Sequence, residues 1–254
     1  NDTKGLDNLR LTNEISKICK REFERGKINV SSAGTMLSFM EKPNFKMSIG
    51  FAQYSAEGNL CGDTIKTIND SRGHMIFIIS DGMGKGSRAA LDGAMGAGLL
   101  SKLLSAGFGF DSSLKVVNSA LLVKSHEESL ATLDCIRVDL FSGKCEFYKA
   151  GAPKSYVVKE NSLTKCELTS MPAGILRGVE FAKRTTLLNT DDEIIMMSDG
   201  ITDVGDDWLE EFLKLETSFD PNEKAKAILR LALENSDEKH RDDMSVIVAK
   251  MIEK

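Results

Sequence analysis

The stretch from His74 to Ala90, "HMIFIISDGMGKGSRAA", decides the architecture of this chain. An apolar run ends in Ser-Asp-Gly at residues 80–82, further glycines follow, and helix-forming residues come next. The run shows no apolar–polar alternation, which is typical of a strand buried on both faces. The same arrangement recurs at residues 193–203, "EIIMMSDGITD". Two buried strands are therefore each predicted to end in a carboxylate followed by glycine, and a shared function would explain the repetition.

Hydrophobic periodicity extends this pattern along the chain. Apolar residues at helical spacing predict an amphipathic helix over residues 5–25, whereas alternation from Phe45 to Phe51 predicts a strand. Further strands are predicted over residues 65–68, 74–80, 132–140, 144–149, 156–159, 163–168, 180–188, 193–198 and 244–251, and helices over 87–106, 112–125, 206–215 and 221–234. Runs of strands interrupted by runs of helices favour an α+β fold over a doubly wound parallel sheet.

The composition indicates a globular domain without a preference for polyanions. The 254 residues are 41% hydrophobic and 28% charged, and the net charge is -5. This charge argues against nucleic acid or an anionic membrane as the main partner, and no apolar run reaches the length of a membrane span. Because the chain starts at Asn1 rather than at Met, we expect it to be part of a longer protein.

The cysteines and the glycine loop do not match the common motifs for disulfide, zinc or nucleotide sites. Five cysteines without a Cys-x-x-Cys motif suit neither a disulfide framework nor a structural zinc site, and they favour a reducing cytosolic compartment. The glycine loop matches neither a P-loop nor a dinucleotide fingerprint, so an ordinary turn with positive φ angles is an equal alternative to a functional loop. Cys19 and Arg25 have the Cys-x5-Arg spacing of thiolate phosphatases. The intervening residues are predicted to continue a helix, so Cys19 is interpreted as a core residue.

Acidic residues at predicted strand ends are the remaining candidates for chemistry. They are Asp63, Asp81, Asp199, Asp242 and Asp243. Like charges repel when they are drawn together, and a divalent cation with hard oxygen ligands, such as Mg²⁺ or Mn²⁺, would remove that cost. Glycine after the aspartate would let a backbone carbonyl approach the metal. The alternative is that each Asp caps a turn or a helix, which is the better explanation for any one of them and a weaker one for four.

An ordered set of motifs makes the chain recognisable. It resembles the metal-dependent protein phosphatases of the protein phosphatase 2C family, in the bacterial branch that contains stage II sporulation protein E. The resemblance covers nearly the whole chain from Asp63 onward. The matching motifs are "CGDTI", "ISDGMGKGSRAA", "ATLDCIRVDL", "MPAGI", "MMSDGITD" and "RDDMSVIVAK".

The resemblance implies a fold and a metal centre. The fold is a four-layer α-β-β-α sandwich, in which two antiparallel sheets are flanked by helices. The centre holds two Mn²⁺ or Mg²⁺ ions. Asp81 would bridge both ions, and the carbonyl of Gly82 would bind the first. Asp199 and Asp242 would bind the second ion, and Asp63 would join the cluster directly or through water.

Three positions depart from the family pattern or lie at its margin. Asp243 matches a position that is often Asn, so it is expected to be a neighbour of the metals rather than a ligand. Cys61 stands where the branch usually has Ser. The arginine that grips the substrate phosphate in eukaryotic relatives has no recognisable counterpart ahead of Asp63, so phosphate recognition is unassigned.

The implied activity is that of a Mn²⁺- or Mg²⁺-dependent protein serine/threonine phosphatase. Asp63, Asp81, Asp199 and Asp242 would act through water that the metals activate for in-line attack on phosphorus. By resemblance, the substrate is a small phosphorylated anti-sigma factor antagonist, in sporulation or sigma-factor control. A homodimer is also expected from the branch.

We expect residues 1–254 to form a single phosphatase domain, with 1–44 as a helical regulatory segment and 45–254 as the catalytic core. The domain is expected to be cytoplasmic, with any membrane anchor in segments outside this sequence. Two alternatives remain. A catalytically silent, phosphatase-like binding module would need a missing carboxylate, and another two-metal phosphohydrolase would need a nucleotide pocket.

Overall fold

The chain forms two compact units, one ending at Asn44 and the other spanning Phe45–Lys254. The structure is a computed structural model that describes residues 7–56, 58, 60–70, 72–84, 86–124, 129–160, 162–215, 220–238 and 240–254. Within these residues, no helix is both long and apolar enough to cross a membrane.

The first unit consists of one helix and one hairpin. Helix α1 (Asn8–Cys19) is capped by Asp7, whose carboxylate accepts hydrogen bonds from the first-turn backbone. It ends where Lys20 adopts the left-handed conformation, with φ 54°. Strands β1 (Lys27–Ser31) and β2 (Gly34–Ser38) then pair antiparallel.

Three predictions for this unit need correction. The predicted helix over residues 5–25 stops at Cys19, and its first two residues lie outside the described part of the chain. The hairpin was not predicted, so residues 1–44 are not a purely helical segment. The thiol of Cys19 is exposed rather than part of a core. Its position at a helix C-terminus presents carbonyls instead of amides, which still makes a phosphate loop at this Cys-x5-Arg spacing unsuitable.

The second unit contains two five-stranded antiparallel sheets. Sheet I has the order β10–β7–β6–β5–β4, and sheet II has the order β3–β12–β11–β8–β9. The strands of sheet I are β4 (Asp63–Asn69), β5 (His74–Asp81), β6 (Leu133–Asp139), β7 (Lys144–Ala150) and β10 (Ala182–Leu187). Those of sheet II are β3 (Phe45–Tyr54), β8 (Ser155–Lys159), β9 (Ser162–Cys166), β11 (Glu193–Met197) and β12 (Met244–Glu253).

Helices cover the outer face of each sheet. Helices α2 (Gly86–Ser105) and α3 (Phe110–Lys124) bury one apolar cluster against sheet I. Helices α5 (Asp207–Leu215) and α6 (Pro221–Asn235) bury another against sheet II, next to the short helix α4 (Asp199–Thr202).

The central cluster lies between the two sheets and includes Phe77, Phe147, Met196 and Ile247. Each such side chain stabilises the fold by roughly 1.5–3 kcal/mol through removal of apolar surface from water. The observed layers confirm the predicted four-layer α-β-β-α sandwich, and every strand and helix predicted from Phe45 onward is present within a few residues.

The topology brings several chain segments to one end of the sandwich. Strand β4 begins where its neighbour β5 ends, and strand β12 begins where its neighbour β11 ends. Each of these four positions has an acidic residue within two residues of the strand end. The functional site is therefore to be sought at this end.

Candidate metal centre

Sheet I contributes two carboxylates that face each other. Asp63, the first residue of β4, is the register partner of Asp81, the last residue of β5. Asp63 is almost completely buried, at 4% exposure, and Asp81 is half-buried. Like charges directly opposite each other on neighbouring strands are destabilising, so this pair is unfavourable unless something compensates for its charge.

Sheet II contributes the other carboxylates from the adjoining ends of β11 and β12. Ser198 and Ser245 join these ends, because the amide of Ser245 donates to the Ser198 hydroxyl at 2.8 Å and the amide of Ser198 donates to the Ser245 carbonyl at 3.0 Å. Asp199 directly follows Ser198 and begins α4, so it starts a helical turn rather than ending a strand. Asp242 lies just ahead of β12 and is exposed.

The side chain of Gln53 bridges the two sheets at this end. The amide nitrogen of Gln53 donates to the carbonyl of Asp63 in sheet I and to the hydroxyl of Ser245 in sheet II, each at 3.0 Å. This contact fixes the start of β4 relative to the start of β12, and so fixes the spacing of the carboxylates that the two strands carry.

The carboxylates perturb one another strongly. Burial raises the pKa of Asp81 to about 8, with further contributions from the charges of Asp199, Asp63 and Asp242. Burial likewise raises the pKa of Asp63 to about 6, although the Ser198 and Ser245 hydroxyls partly oppose the rise. The pKa of Asp199 is raised by burial and then by the neighbouring charges of Asp203 and Asp242. None of the groups that dominate these shifts is a cation.

The chemistry of this cluster fits a divalent cation. Both carboxylate oxygens of Asp63 are buried without a well-formed hydrogen bond, and such groups are costly unless they meet a charge partner. The donor set consists of hard oxygen atoms, which suits Mg²⁺ or Mn²⁺. In the described residues, no three His, Cys, Asp or Glu side chains already have the geometry of a formed ion site. The carboxylates are thus neighbours at one end of the sandwich rather than a closed ring of ligands.

Asp243 has a different role from the other carboxylates. Its two oxygens accept hydrogen bonds from the backbone amides of Ala56, at 2.8 Å, and Gly62. These bonds hold the loop that leads into β4. Asp243 therefore positions Asp63 through the backbone while its own carboxylate is already occupied.

The glycines that follow the aspartates are required by close backbone packing. A Cβ atom on Gly82 would lie 1.9 Å from the carbonyl oxygen of Ala89, and one on Gly200 would lie 2.1 Å from the carbonyl oxygen of Asp243. A different reason was inferred for these glycines from the sequence, namely that they would let a backbone carbonyl approach a metal. Positive φ angles occur further along the loop, at Gly84 and Gly86, as the alternative of a strand-to-helix turn predicts.

The structure brings the predicted acidic residues Asp63, Asp81, Asp199 and Asp242 into mutual electrostatic contact at one end, with Gly82 beside them. Sequence reasoning missed the three polar residues that scaffold the cluster: Gln53, Ser198 and Ser245. The available signal was polar serine within otherwise apolar runs, in "MMSDG" and "DDMSVIV".

Comparison with protein families gives one match that spans most of the chain. The model for stage II sporulation protein E (SpoIIE) matches residues 71–252. Stage II sporulation protein E of Bacillus subtilis (strain 168) is 28% identical over 222 residues, which is 85% of this chain and 27% of that protein. The Priestia megaterium protein of the same name is 29% identical over 201 residues, 76% of this chain and 34% of that protein. The chain thus spans about a third or less of these relatives.

Several solved structures have the same fold as this chain. The protein phosphatase 2C (PP2C) domain of Bacillus subtilis SpoIIE, with a fragment of its regulatory domain, has a TM-score of 0.81 and 25% identity, covering 98% of this chain and 75% of that one. The RsbU and RsbW domains of Rv1364c from Mycobacterium tuberculosis have a TM-score of 0.70 and 21% sequence identity, covering 83% of this chain and 63% of that one. The catalytic domain of the serine/threonine protein phosphatase PstP, in complex with two manganese ions, has a TM-score of 0.65 and 18% sequence identity. This match covers 82% of this chain and 100% of that one.

Proposed function

The chain belongs to the stage II sporulation protein E family, and we propose that it is a metal-dependent protein serine/threonine phosphatase. The proposed metal ligands are Asp63, Asp81, Asp199, Asp242 and the carbonyl of Gly82, and the four aspartates are also the proposed catalytic groups. The proposed cofactors are two Mn²⁺ or Mg²⁺ ions, in keeping with the manganese bound by PstP.

One observation carries this proposal. Asp63 is buried with both carboxylate oxygens lacking good hydrogen bonds, and it lies opposite Asp81 in the strand register. Bringing buried carboxylates together is unfavourable when no positively charged side chain neutralises them. Strained arrangements of this kind persist where function requires them.

Polar residues of the chain itself hold the carboxylates of the site in position. Gln53 and Ser245 set the distance between the two sheets, Ser198 places Asp199 at the start of α4, and Asp243 holds the loop that carries Asp63. When bound, divalent cations would supply activation of water and stabilisation of the phosphoryl charge. No protein nucleophile is needed, in agreement with the absence of a nucleophilic cysteine or serine motif in the sequence.

We further propose that the substrate is a phosphoserine on a small regulatory protein, of the anti-sigma factor antagonist class. The support is family membership and the likeness to the RsbU-containing structure, which are analogies at the level of the fold. A homodimer and a membrane anchor elsewhere in the full-length protein remain part of the same proposal.

The test is phosphate release from a phosphoserine protein with Mn²⁺, with chelator, and with Asp81→Ala. We expect release that requires the metal and that falls by at least about a thousandfold in the variant, because a proposed metal ligand would be lost. The matched control is Asp191→Asn. Asp191 is acidic, has a φ of 69° that Asn tolerates, and pairs with β12 at its far end from Asp242.

Three outcomes would contradict the proposal. Release that is unaffected by chelator and by Asp81→Ala would exclude the metal cluster as the catalyst. Folded protein that binds the phosphoprotein but releases no phosphate at any metal concentration would favour a silent binding module. Hydrolysis of cyclic nucleotides in preference to phosphoserine protein would favour a different phosphohydrolase.

A further inference from the structure

A surface groove lies between α3 and the segment that leads into β10. It has a volume of about 640 Å³. Its lining includes Lys115, Ser119, Leu122, Val123, Arg177 and Val179. We refer to it as the α3 groove. From Lys115 to Val123, α3 rises by about 12 Å, so the groove can hold about two turns of a helix or a short extended peptide.

The α3 groove combines exposed apolar surface with positive charge. Val123 is 86% exposed, although valine normally lies in cores. Lys115 and Arg177 are exposed, and neither forms an ion pair with any residue that the structure describes. By contrast, the nearby Lys183 is paired with Asp111 at 2.7 Å. In a chain whose net charge is -5, two cations that pair with no described residue lie here beside apolar surface.

The wall of the α3 groove is held rigidly. Asn118 is 4% exposed, and its side chain donates to the carbonyl of Leu176 at 2.9 Å while accepting from the amide of Gly174 at 2.7 Å. A buried side chain with both its donor and its acceptor satisfied fixes the loop on α3. The groove is therefore a formed feature of the fold.

Backbone pairing connects this wall to the metal centre. Ala173, next to the pinned loop, exchanges two hydrogen bonds with Ala131, at 3.0 and 2.9 Å, and Ala131 forms a further bridge with Gly82. Neighbouring strands lie about 4.8 Å apart, so Ala173 lies about 10 Å from Gly82. One small protein could therefore contact the α3 groove and the metal centre at the same time.

We propose that the α3 groove docks an acidic segment with apolar side chains from the phosphoprotein substrate, while the phosphoserine occupies the metal centre. This inference rests on the proposed function and adds a recognition surface to it. The cations Lys115 and Arg177 select negative charge, and Leu122 and Val123 receive apolar side chains. Electrostatic complementarity of this kind gives specificity and speeds encounter.

The test compares a protein substrate with a small one. The variants are Lys115→Glu, Arg177→Glu and the double variant, and the control is Lys226→Glu, an exposed lysine on α6 in the opposite helical layer. The probes are a serine-phosphorylated anti-sigma factor antagonist and p-nitrophenyl phosphate. Fluorescence anisotropy in chelator gives Kd for the phosphoprotein independently of turnover, and sedimentation reports the oligomeric state.

We expect each single variant to weaken phosphoprotein binding about threefold and the double variant about tenfold, with kcat/KM falling in parallel. Hydrolysis of p-nitrophenyl phosphate should not change, and Lys226→Glu should change neither reaction. Added salt should weaken phosphoprotein binding by the wild type more than binding by the double variant.

Unchanged Kd and kcat/KM in the double variant would overturn the docking proposal while leaving the phosphatase proposal intact. Equal losses on both substrates would also overturn it, because the charges would then act on the metal centre. A shift in the monomer–dimer equilibrium without a change in Kd would identify the groove as an interface between two copies of the chain. Failure of the wild type to release phosphate from either substrate would refute the proposed function instead.

Discussion

Asp81 shows how the site opposes the stability of the fold. Its carboxyl group is half-buried, faces Asp63 across the strand pair and lies near Asp199 and Asp242. Burial and then these charges raise its pKa to about 8, so ionisation at neutral pH is unfavourable in the metal-free protein. Every cation that binds here would relieve the repulsion, which couples metal binding to stability.

We predict that Asp81→Asn stabilises the metal-free protein in a pH-dependent way. An unfolded Asp has a pKa near 3.9, so the wild type has its full relative stability below that pH and loses it as the pH rises towards about 8. In chelator, the free energy of unfolding of the variant should exceed that of the wild type by roughly 1–3 kcal/mol at pH 8.5 and by much less at pH 5.

Thermal or urea unfolding at both pH values measures this difference. Asp191→Asn, at an exposed turn, should show no comparable dependence on pH. Adding Mn²⁺ should raise the melting temperature of the wild type but not that of Asp81→Asn. A variant that is less stable than the wild type at pH 8.5 in chelator would contradict the proposed repulsion.

Helix α2 is the element packed most closely against the backbone of the metal centre. A Cβ atom on Gly93 would lie 2.2 Å from the carbonyl oxygen of Gly62, and one on Gly96 would lie 2.9 Å from the hydroxyl of Ser80. Gly82 donates its amide to the same Gly62 carbonyl at 3.2 Å. The glycines of α2 thus bring this helix into direct contact with the segments on either side of the candidate site.

We predict that Gly93→Ala and Gly98→Ala have opposite effects, although both lie on α2. At Gly93 the added methyl group meets backbone atoms and should cost about 1–3 kcal/mol. It should also reduce phosphatase activity at least about tenfold, because α2 must move away from Gly62 and Gly82. At Gly98 no described atom outside the adjoining part of α2 lies within 4 Å of the added methyl group, so helix propensity should stabilise the protein by up to about 1 kcal/mol.

Urea unfolding and phosphate release under the same metal concentration measure both variants. Equal stability of Gly93→Ala and Gly98→Ala would show that α2 does not approach the site as closely as the geometry indicates.

Across the second unit as a whole, a buried polar network ties the two sheets together. Lys149 of sheet I is fully buried, and its ammonium group donates to the Asp134 carboxylate at 2.7 Å and to the Ser155 hydroxyl at 2.8 Å. Ser155 begins β8 in sheet II and donates to Asp134 at 3.0 Å. The network therefore crosses the apolar layer between the sheets, where an unpaired charge would be costly.

We predict that Lys149→Met destabilises the domain by about 3–5 kcal/mol, because it leaves the buried Asp134 carboxylate without its charge partner. The double variant Asp134→Leu with Lys149→Met should lose less than the sum of the two single changes, since it removes both charges. Lys214→Met, which breaks only an exposed pair with Glu210, should cost less than about 1 kcal/mol. Additive effects in the double-mutant cycle would show that Lys149 and Asp134 do not act as a pair.

Local signals in the amino-acid sequence were sufficient to predict the elements of the second unit and the acidic residues of its candidate site. Long apolar runs and regular periodicity extend over neighbouring residues, so β5, β11 and the four principal helices were predicted within a few residues. A carboxylate beside each buried strand end is equally local, and it is this position that indicates a metal cluster. The expectation that residues 1–254 form a single phosphatase domain stays a prediction.

The residues that support these elements depend instead on tertiary contacts. The β1–β2 hairpin was missed because its strands are short and largely exposed, so burial leaves little periodic signal. Exposure of Cys19 depends on what packs around it, which periodicity does not specify. The clamp formed by Gln53, Ser198 and Ser245 joins residues up to 192 positions apart. Contacts of this kind, like the close approach at Gly82, arise from how two sheets and a helix meet in space, and they leave no regular pattern along the chain.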